Sequence, residues 1–229
     1  MVNPRARKNS KLQPLLAGHL LPILIGFVVI LFGLFGSDII LWLRFDRNGI
    51  LSGEIWRLFT GHFAHLSWSH LMTNLLGLAL TWGLFGHHLP AKRWLHVIAF
   101  NALGISLLLL VVDSHLHWYV GLSGVLHGMF LVGCLYDLRA GRWDSKLLLA
   151  LLVGKLLWEQ LRDPTTESAS FIEQIIGGYV VVDAHLFGAL MGFITYLVFR
   201  RIEGRQTPLT TQHSSTRQSS TQQSSTQHS

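Results

Sequence analysis

The chain has 229 residues, which is enough for one domain of ordinary size. Half of its residues are hydrophobic, only 13% are charged, and the mean hydropathy is +0.41, whereas soluble domains carry roughly 25% charged residues. This composition excludes an ordinary soluble domain and indicates an all-α membrane protein. Cys134 is the single cysteine, so a disulfide framework is excluded as well.

Six segments are predicted as membrane-spanning helices, since a bilayer core requires about 20 mainly apolar residues per helix. They cover approximately residues 18–36, 70–86, 94–112, 122–138, 147–161 and 180–199. The fifth is short and is interrupted by Lys155, which makes it the weakest of the six. The first has a basic flank typical of a signal peptide, but its apolar run is too long and no A-x-A cleavage site follows. We therefore interpret it as a retained helix.

The remaining sequence divides the chain into three parts. Residues 1–17 form a basic amino-terminal segment, residues 18–201 form a six-helix membrane domain, and residues 202–229 form a tail rich in Gln, Ser and Thr. The tail has almost no apolar residues, so we expect it to be disordered. The long outer loop of residues 37–69 is rich in aromatic residues and is predicted to lie at the membrane interface.

Lysines and arginines are concentrated in four segments that share one side of a six-span topology, which predicts that both termini are cytoplasmic. These segments are the amino-terminal tail, the loops after the second and fourth spans, and the start of the carboxy-terminal tail (Arg5, Arg7, Lys8, Lys11; Lys92, Arg93; Arg139, Arg142, Lys146; Arg200, Arg201, Arg205). The net charge of +6 then reflects topology, and no nucleic-acid partner is expected.

Polar and ionisable residues inside a span are costly, so each indicates a function. Four of them fall toward the outer ends of the predicted helices: His70, Asn74, Ser123 and His185. This set is sufficient for acyl transfer, because a serine attacks a carbonyl when a histidine removes its proton. The side chains of His70 and Asn74, with the backbone N–H of Ser123, would supply donors to the oxyanion.

Glycines accompany the serine and the last histidine. Small residues four apart let two membrane helices pack closely, and this pattern occurs on both the fourth and the sixth predicted spans. Close packing of these helices would bring His185 against Ser123. The glycines concerned are Gly121 and Gly124 beside the serine, Gly128 one turn later, and Gly188 and Gly192 after His185.

Three other intramembrane residues leave alternatives open. His127 lies four residues after Ser123 on the same helix face, so it competes with His185 for the role of base. Lys155 and Glu159 are also four residues apart, which favours a structural ion pair or a lysine that snorkels to the interface. A sharper hypothesis is that the pair gates substrate access or contacts the charged end of a substrate.

The ordered motifs resemble those of the rhomboid intramembrane proteases, over approximately residues 18–201. The matching motifs are Glu54-Ile55-Trp56-Arg57 in the outer loop, H-x4-H-x3-N at His65, His70 and Asn74, G-x-S-G at Gly121 to Gly124, and A-H-x2-G-x3-G from Ala184 to Gly192. The resemblance implies His185 as the base and a six-helix bundle with a water-filled cavity opening outward.

The resemblance also implies a mechanism and partners. It implies a Ser123–His185 dyad without a third acid, and cleavage of transmembrane segments that enter between the second and fifth helices. His65 would be structural and bonded within the outer loop. The expected partners are membrane-anchored protein substrates and the lipid bilayer, with no cofactor and no metal, in the inner membrane of a bacterium.

The sequence departs from the family at His127, where many rhomboids have a tyrosine that stacks on the catalytic histidine. The string Gly-Leu-Ser-Gly-Val-Leu-His-Gly at residues 121–128 is similar to the rhombosortase branch. That branch is thought to process surface proteins that end in a Gly-Gly motif, an apolar helix and a basic end. His127 would then either shape the dyad or only pack beside it.

Two other functions compete with a protease. One is a catalytically inactive relative that binds membrane clients, against which the presence of Ser123 and His185 argues. The other is a b-type cytochrome, in which His70, His127 and His185 would ligate haem. Their predicted position at one depth around a serine argues against facing haem ligands. The substrate, the oligomeric state, and transfer of the acyl group to water or to an amine stay open.

Overall fold

The computed structural model describes residues 4–162, 173–174 and 176–205, with side chains described from residue 19 onward. The chain divides into two compact units, Met1–Thr195 and Tyr196–Ser229. All candidate site residues belong to the first unit. Of the tail predicted to be disordered, residues 206–229 lie outside the described residues.

The described chain is dominated by helices, with one small antiparallel pair of strands. Two short 3₁₀ turns, Gly61–Phe63 and Gly86–His88, lie before and after the helix Trp68–Phe85. In chain order the elements are α1 (Pro4–Leu34), α2 (Gly36–Leu43), β1 (Phe45–Asp46), α3 (Arg47–Leu51), α4 (Arg57–Thr60), α5 (Trp68–Phe85), α6 (Ala91–Val112), β2 (Trp118–Tyr119), α7 (Ser123–Arg139), α8 (Ser145–Leu161) and α9 (Val182–Arg205).

The long helices α1, α5, α6, α7, α8 and α9 overlap the six segments predicted from the apolar runs. By length and apolar composition, two described helices could cross a membrane, α6 and α9. The stretch His19–Leu34 with Gly36–Leu43 adds a third if this bent pair is one span. The chain is thus a helical membrane protein, whereas six crossings and cytoplasmic termini stay predictions.

The start of the outer loop differs from the predicted boundary at residue 36. Helix α1 ends at Leu34, and the chain then bends by 118° into helix α2. Gly36 allows this bend because its φ of +74° lies in the left-handed region, which favours a residue without a Cβ. Trp42 on α2 is exposed and stacks on Trp56 with ring centroids 5.4 Å apart. Such a pair is typical of the aromatic belt at a membrane interface.

Hydrogen bonds from two arginines, Arg47 and Arg57, fix the rest of the outer loop. Arg47 donates to the carbonyl oxygens of Leu109, Leu110, Asp113 and Leu116 at 2.6–2.8 Å. These carbonyls lie at the end of α6 and just after it, where a helix lacks its own hydrogen-bond donors. Arg57, from the Trp-Arg segment, binds the Glu54 carboxylate and the Leu41 carbonyl oxygen. The loop is therefore an ordered part of the fold.

Helix α7 is the centre of the described bundle. It packs against α5, α6 and α8, and buried residues occur on several of its faces. A helix with buried residues on several faces belongs to a core. Because α7 is central, side chains of the neighbouring helices surround its first turn, which contains Ser123.

Candidate active site

The segment that leads into Ser123 is held by the outer loop. Strands β1 and β2 pair immediately before it, and the Gly121 N–H donates to the Gly61 carbonyl oxygen at 3.0 Å. The Tyr119 hydroxyl donates to the Gly121 carbonyl oxygen at 2.6 Å. Gly121 has a φ of +122°, and a Cβ there would lie 2.9 Å from the His70 ring. Both its conformation and this close approach therefore favour glycine.

Helices α7 and α9 meet backbone to backbone through their glycines. A Cβ on Gly188 would overlap the Gly124 carbonyl oxygen, and a Cβ on Gly192 would overlap that of Gly128. A Cβ on Gly124 would lie 2.6 Å from the Ala184 carbonyl oxygen. Because no side chain separates the two backbones, the start of α7 lies directly against the first turns of α9.

Two of the predicted residues lie at hydrogen-bond distance across this contact. The Nε2 atom of His185 is 2.9 Å from the Oγ atom of Ser123. His185 is only 6% exposed, so its ring is shielded from bulk water. At this distance the serine hydroxyl can donate its hydrogen to an unprotonated ring nitrogen, which is the arrangement that general-base catalysis requires.

His127 is engaged elsewhere. Its Nδ1 atom lies 2.7 Å from the Ser123 carbonyl oxygen, which only accepts, so Nδ1 carries the hydrogen. Its Nε2 atom lies 2.9 Å from the ammonium of Lys155, which only donates, so Nε2 accepts. The ring stacks on His185 with centroids 4.2 Å apart and planes inclined by 17°. These contacts favour a role in shaping the site over competition for the Ser123 hydroxyl.

An acid that the resemblance does not predict lies beside His185. The Oε2 and Oε1 atoms of Glu159 are 3.0 and 3.1 Å from His185 Nδ1, on the ring edge opposite Ser123. Lys155 donates to Glu159 Oε1 at 2.6 Å. The ion pair indicated by the spacing of four is therefore present, and it forms one wall of the site. The implied dyad without an acid differs from the structure in this respect.

The same group has a spacing that a metal ion could use. Donor atoms of His127, Glu159 and His185 lie within 4.8 Å of one another. The Lys155 ammonium already lies 2.9, 2.6 and 3.5 Å from atoms of these three side chains. A metal cation would have to displace this positive charge or be repelled by it. The contacts therefore favour an internal ion pair, and they engage the ring nitrogens of His127 and His185, two of the three histidines that haem ligation would use.

The predicted oxyanion donors line the same cavity as Ser123. This cavity has a volume of about 240 Å³, and both His70 and Asn74 face it from α5. The Asn74 amide donates one hydrogen to the His70 carbonyl oxygen at 3.1 Å, which leaves its second hydrogen for another acceptor. The Ser123 N–H belongs to the first turn of α7, where N–H groups lack partners within the helix.

A second, larger cavity opens beside the first. Its volume is about 380 Å³, and residues of α5, α7 and α8 line it, with the apolar side chains coming from α7 (Leu126, Phe130) and α8 (Leu148, Leu151, Leu152). Five residues line both cavities: Thr73, Asn74, Ser123, His127 and Lys155. An apolar groove between α5 and α8 therefore leads to Ser123. These are the second and fifth long helices, between which the resemblance implies substrate access.

The outer loop adds two buried histidines. His62, which the sequence did not single out, lies 2.9 Å from the Ala102 carbonyl oxygen and 3.0 Å from Ser106 Oγ. Burial lowers the pKa of His62 to about 4, and burial with the neighbouring His70 lowers the pKa of His65 to about 3. Both are therefore neutral at pH 7. The His65 ring packs edge-on against the His70 ring at 5.0 Å, which links the loop to the cavity wall.

The sequence pattern pairs Glu159 with Lys155 and does not predict its contact with His185. Its spacing from Lys155 indicated a local ion pair, and that pattern contains no information about a partner on another helix. The available signal was the carboxylate itself, because an acid within a span is functional by default.

Comparisons with known proteins agree with the motifs. A family profile described as "Rhomboid domain" matches residues 52–202. YdcA of Bacillus subtilis (strain 168), whose name assigns it provisionally to the rhomboid proteases, is 28% identical over 182 residues, which cover 76% of this chain and 84% of that protein. The rhomboid protease GlpG of Salmonella newport (strain SL254) is 27% identical over 132 residues, which cover 57% of this chain and 47% of GlpG. The chain thus spans about half the length of GlpG.

Proposed function

Since the chain belongs to the rhomboid family, whose profile covers residues 52–202, we propose that it is an intramembrane serine endopeptidase. Its substrates would be transmembrane segments of membrane-anchored proteins. A relative named rhomboid protease supports the hydrolysis of peptide bonds. The observation that carries the serine mechanism is the distance of 2.9 Å between His185 Nε2 and Ser123 Oγ.

In the proposed reaction, Ser123 Oγ attacks the carbonyl carbon of the scissile peptide bond and its proton passes to His185 Nε2. The oxyanion accepts hydrogen bonds from the Ser123 N–H and from the side chains of His70 and Asn74. His185 Nε2 then gives its proton to the departing amine nitrogen as the peptide bond breaks. Water attacks the acyl ester in the second half of the reaction, with His185 again as base.

The apolar groove between α5 and α8 supports lateral access of a substrate helix. Its lining includes Leu148, Leu151 and Leu152, which match the apolar surface of a transmembrane segment. We propose that such a segment enters from the lipid and unwinds locally at Ser123. We also propose that the protein lies in a bacterial inner membrane with the site toward the outer side, as the distribution of Lys and Arg indicates.

We further propose the rhombosortase branch, whose substrates end in a Gly-Gly motif and an apolar helix. The string at residues 121–128 supports this branch. His127 is the residue of this string at which the chain departs from many other rhomboids. Its contacts with Ser123, His185 and Lys155 support a role for this histidine in the site.

One experiment tests the nucleophile, the base and the branch together. Wild-type, Ser123→Ala and His185→Ala proteins are purified in detergent, exposed to a fluorescent fluorophosphonate, and assayed with a reporter that carries a Gly-Gly motif before an apolar helix. We expect the wild type alone to be labelled and to cleave the reporter, because each substitution removes one partner of the proton transfer. A twin reporter with Leu-Leu should be cleaved at least about tenfold more slowly, which corresponds to roughly 1.4 kcal/mol.

Each competing function predicts a different result. A folded wild-type protein that is neither labelled nor active would indicate a relative that only binds membrane clients. Cleavage by Ser123→Ala at the wild-type rate would refute the serine mechanism. Equal cleavage of the two reporters would remove the branch assignment and leave the protease.

A further inference from the structure

The imidazole of His185 is held between oxygen atoms on both of its edges. Its Nε2 atom faces Ser123 Oγ at 2.9 Å, and its Nδ1 atom faces both carboxylate oxygens of Glu159 at 3.0 and 3.1 Å. The Glu159 side chain is only 12% exposed. This carboxylate therefore interacts with the ring in a site that is largely shielded from water, where its charge is weakly screened.

The position of the ring hydrogen determines whether His185 can act as a base. A neutral imidazole carries one hydrogen, and Nε2 must be free of it to accept the Ser123 proton. A carboxylate only accepts hydrogen bonds, so Glu159 holds the hydrogen on Nδ1. The Lys155 ammonium lies 3.5 Å from the same Nδ1 atom and only donates, so it favours the opposite, inactive tautomer. The shorter contacts to Glu159 favour the active one.

Lys155 is itself held away from His185 by shorter hydrogen bonds. It donates to Glu159 Oε1 at 2.6 Å and to His127 Nε2 at 2.9 Å. His127 in turn donates from Nδ1 to the Ser123 carbonyl oxygen at 2.7 Å. When Glu159 is ionised and His127 is neutral, the ring hydrogens of His185 and His127 and two of the three ammonium hydrogens of Lys155 therefore each have an acceptor.

We infer that Glu159 is a positioning residue that turns the implied dyad into a Ser123–His185–Glu159 triad. It keeps the hydrogen of His185 on Nδ1 and stabilises the imidazolium that forms when the Ser123 proton reaches Nε2. The Nδ1 hydrogen stays on the ring throughout, and the Nε2 proton leaves with the amine. Lys155 orients the carboxylate. The inference rests on the proposed serine protease function, and it departs from the dyad without an acid.

The first test is Glu159→Gln, which keeps the size of the side chain. Lys155 would bind the amide oxygen, so the amide nitrogen would face His185 Nδ1 and donate to it. The ring hydrogen would then move to Nε2 and block proton transfer from Ser123. By analogy with triads that lose their acid, we expect the rate of fluorophosphonate labelling to fall roughly 10²- to 10⁴-fold, with little change in the concentration of probe that gives half the maximal rate.

A second variant separates this role from a structural one. In Lys155→Met with Glu159→Gln, the ammonium no longer fixes the amide, which can rotate and present its oxygen to the Nδ1 hydrogen. We expect this double variant to label at least about tenfold faster than Glu159→Gln, which equals roughly 1.4 kcal/mol of recovered transition-state stabilisation. A merely structural ion pair predicts that Lys155→Met and Glu159→Gln are equally impaired and that the double variant is no better.

Asp183→Asn is the matched control. Asp183 lies two residues before His185 and accepts a hydrogen bond from Gln160, so the variant removes a nearby carboxylate that does not bind His185. It should label at the wild-type rate. Thermal unfolding in detergent is measured for every variant, and unfolding of both Glu159 variants would assign the carboxylate a structural role and overturn the inference.

The outcomes distinguish the inference from the function on which it rests. If Ser123→Ala and His185→Ala are inactive but Glu159→Gln keeps wild-type labelling, only the role of Glu159 is refuted. Failure of the double variant to recover also refutes it. If Ser123→Ala is labelled and cleaves the reporter, the proposed function fails, and the triad fails with it.

Discussion

Two helix pairs border the site in opposite ways. Helices α7 and α9 meet through glycines, so closely that a single Cβ at Gly188 would overlap the backbone of Gly124. Helices α5 and α8 both pack against α7 but leave a groove of about 380 Å³ between them. The first pair carries Ser123 and His185, and the groove of the second reaches Ser123 from the side.

The difference separates two requirements of proteolysis inside a membrane. Proton transfer requires a fixed distance between nucleophile and base, and direct backbone contact fixes it because backbones cannot rotate out of the way. Access of a substrate helix requires movable walls, and flexible side chains such as those of Leu151 and Leu152 provide them. Substitutions at the α7–α9 contact should therefore impair proton transfer, and substitutions in the groove between α5 and α8 should impair substrate access.

The largest effect is expected from Gly188→Ala. Its new methyl group would overlap the Gly124 carbonyl oxygen and push α9 away from α7. Because a misplacement of about 1 Å can cost roughly 10²-fold in rate, we expect labelling and cleavage to fall together by about that factor. The control is Gly83→Ala, where a Cβ would have no atom of another element within 4 Å among the described residues. Wild-type labelling by Gly188→Ala would show that the glycine contact does not set the geometry.

An intermediate effect is expected from Leu151→Trp, which narrows the groove without touching the α7–α9 contact. Cleavage of a transmembrane reporter should fall about tenfold, or roughly 1.4 kcal/mol, while labelling by a small fluorophosphonate should stay near the wild-type rate. Leu147→Trp, on the same helix and exposed outside the groove lining, should change neither. Equal losses of labelling and cleavage in Leu151→Trp would contradict a separate access route.

The third test concerns the free energy of unfolding instead of a rate, and it asks whether the fold that carries the α7–α9 contact depends on the outer loop. The pKa of His62 is about 4 in the folded protein and about 6.5 in an unfolded chain, so the unfolded state binds the proton first as the pH falls. The contribution of neutral His62 to the free energy of unfolding is therefore fully present above pH 6.5. It is lost as the pH falls from 6.5 to about 4, by up to about 3 kcal/mol. Thermal unfolding across this range should show the loss.

His62→Gln should flatten that dependence, because an amide does not titrate. A residual slope should remain, since burial and His70 also lower the pKa of His65. An unchanged slope in His62→Gln would exclude His62 as the titrating group.

The sequence predicted more of the long helices and motifs than of the contacts between them. Apolar length located six long helices, because burial in lipid requires it, and glycine spacing indicated which two helices approach. The sequence did not predict the bend at Gly36, because a left-handed φ at one residue leaves no periodic pattern in the sequence. Glu159 was assigned to its neighbour Lys155, because spacing along one helix reveals local partners and not those on another helix.

The hydrogen bond from Gly121 to Gly61 has a consequence for the biogenesis of the protein. The acceptor precedes the donor in the chain, so the outer loop is synthesised before the serine that it positions. The proposed base, His185, is synthesised later still, because it lies on α9, the final described helix. A chain interrupted before α9 would carry a positioned nucleophile without a base. Under the proposed mechanism, the nascent protein would therefore stay inactive toward neighbouring membrane proteins until α9 has been inserted.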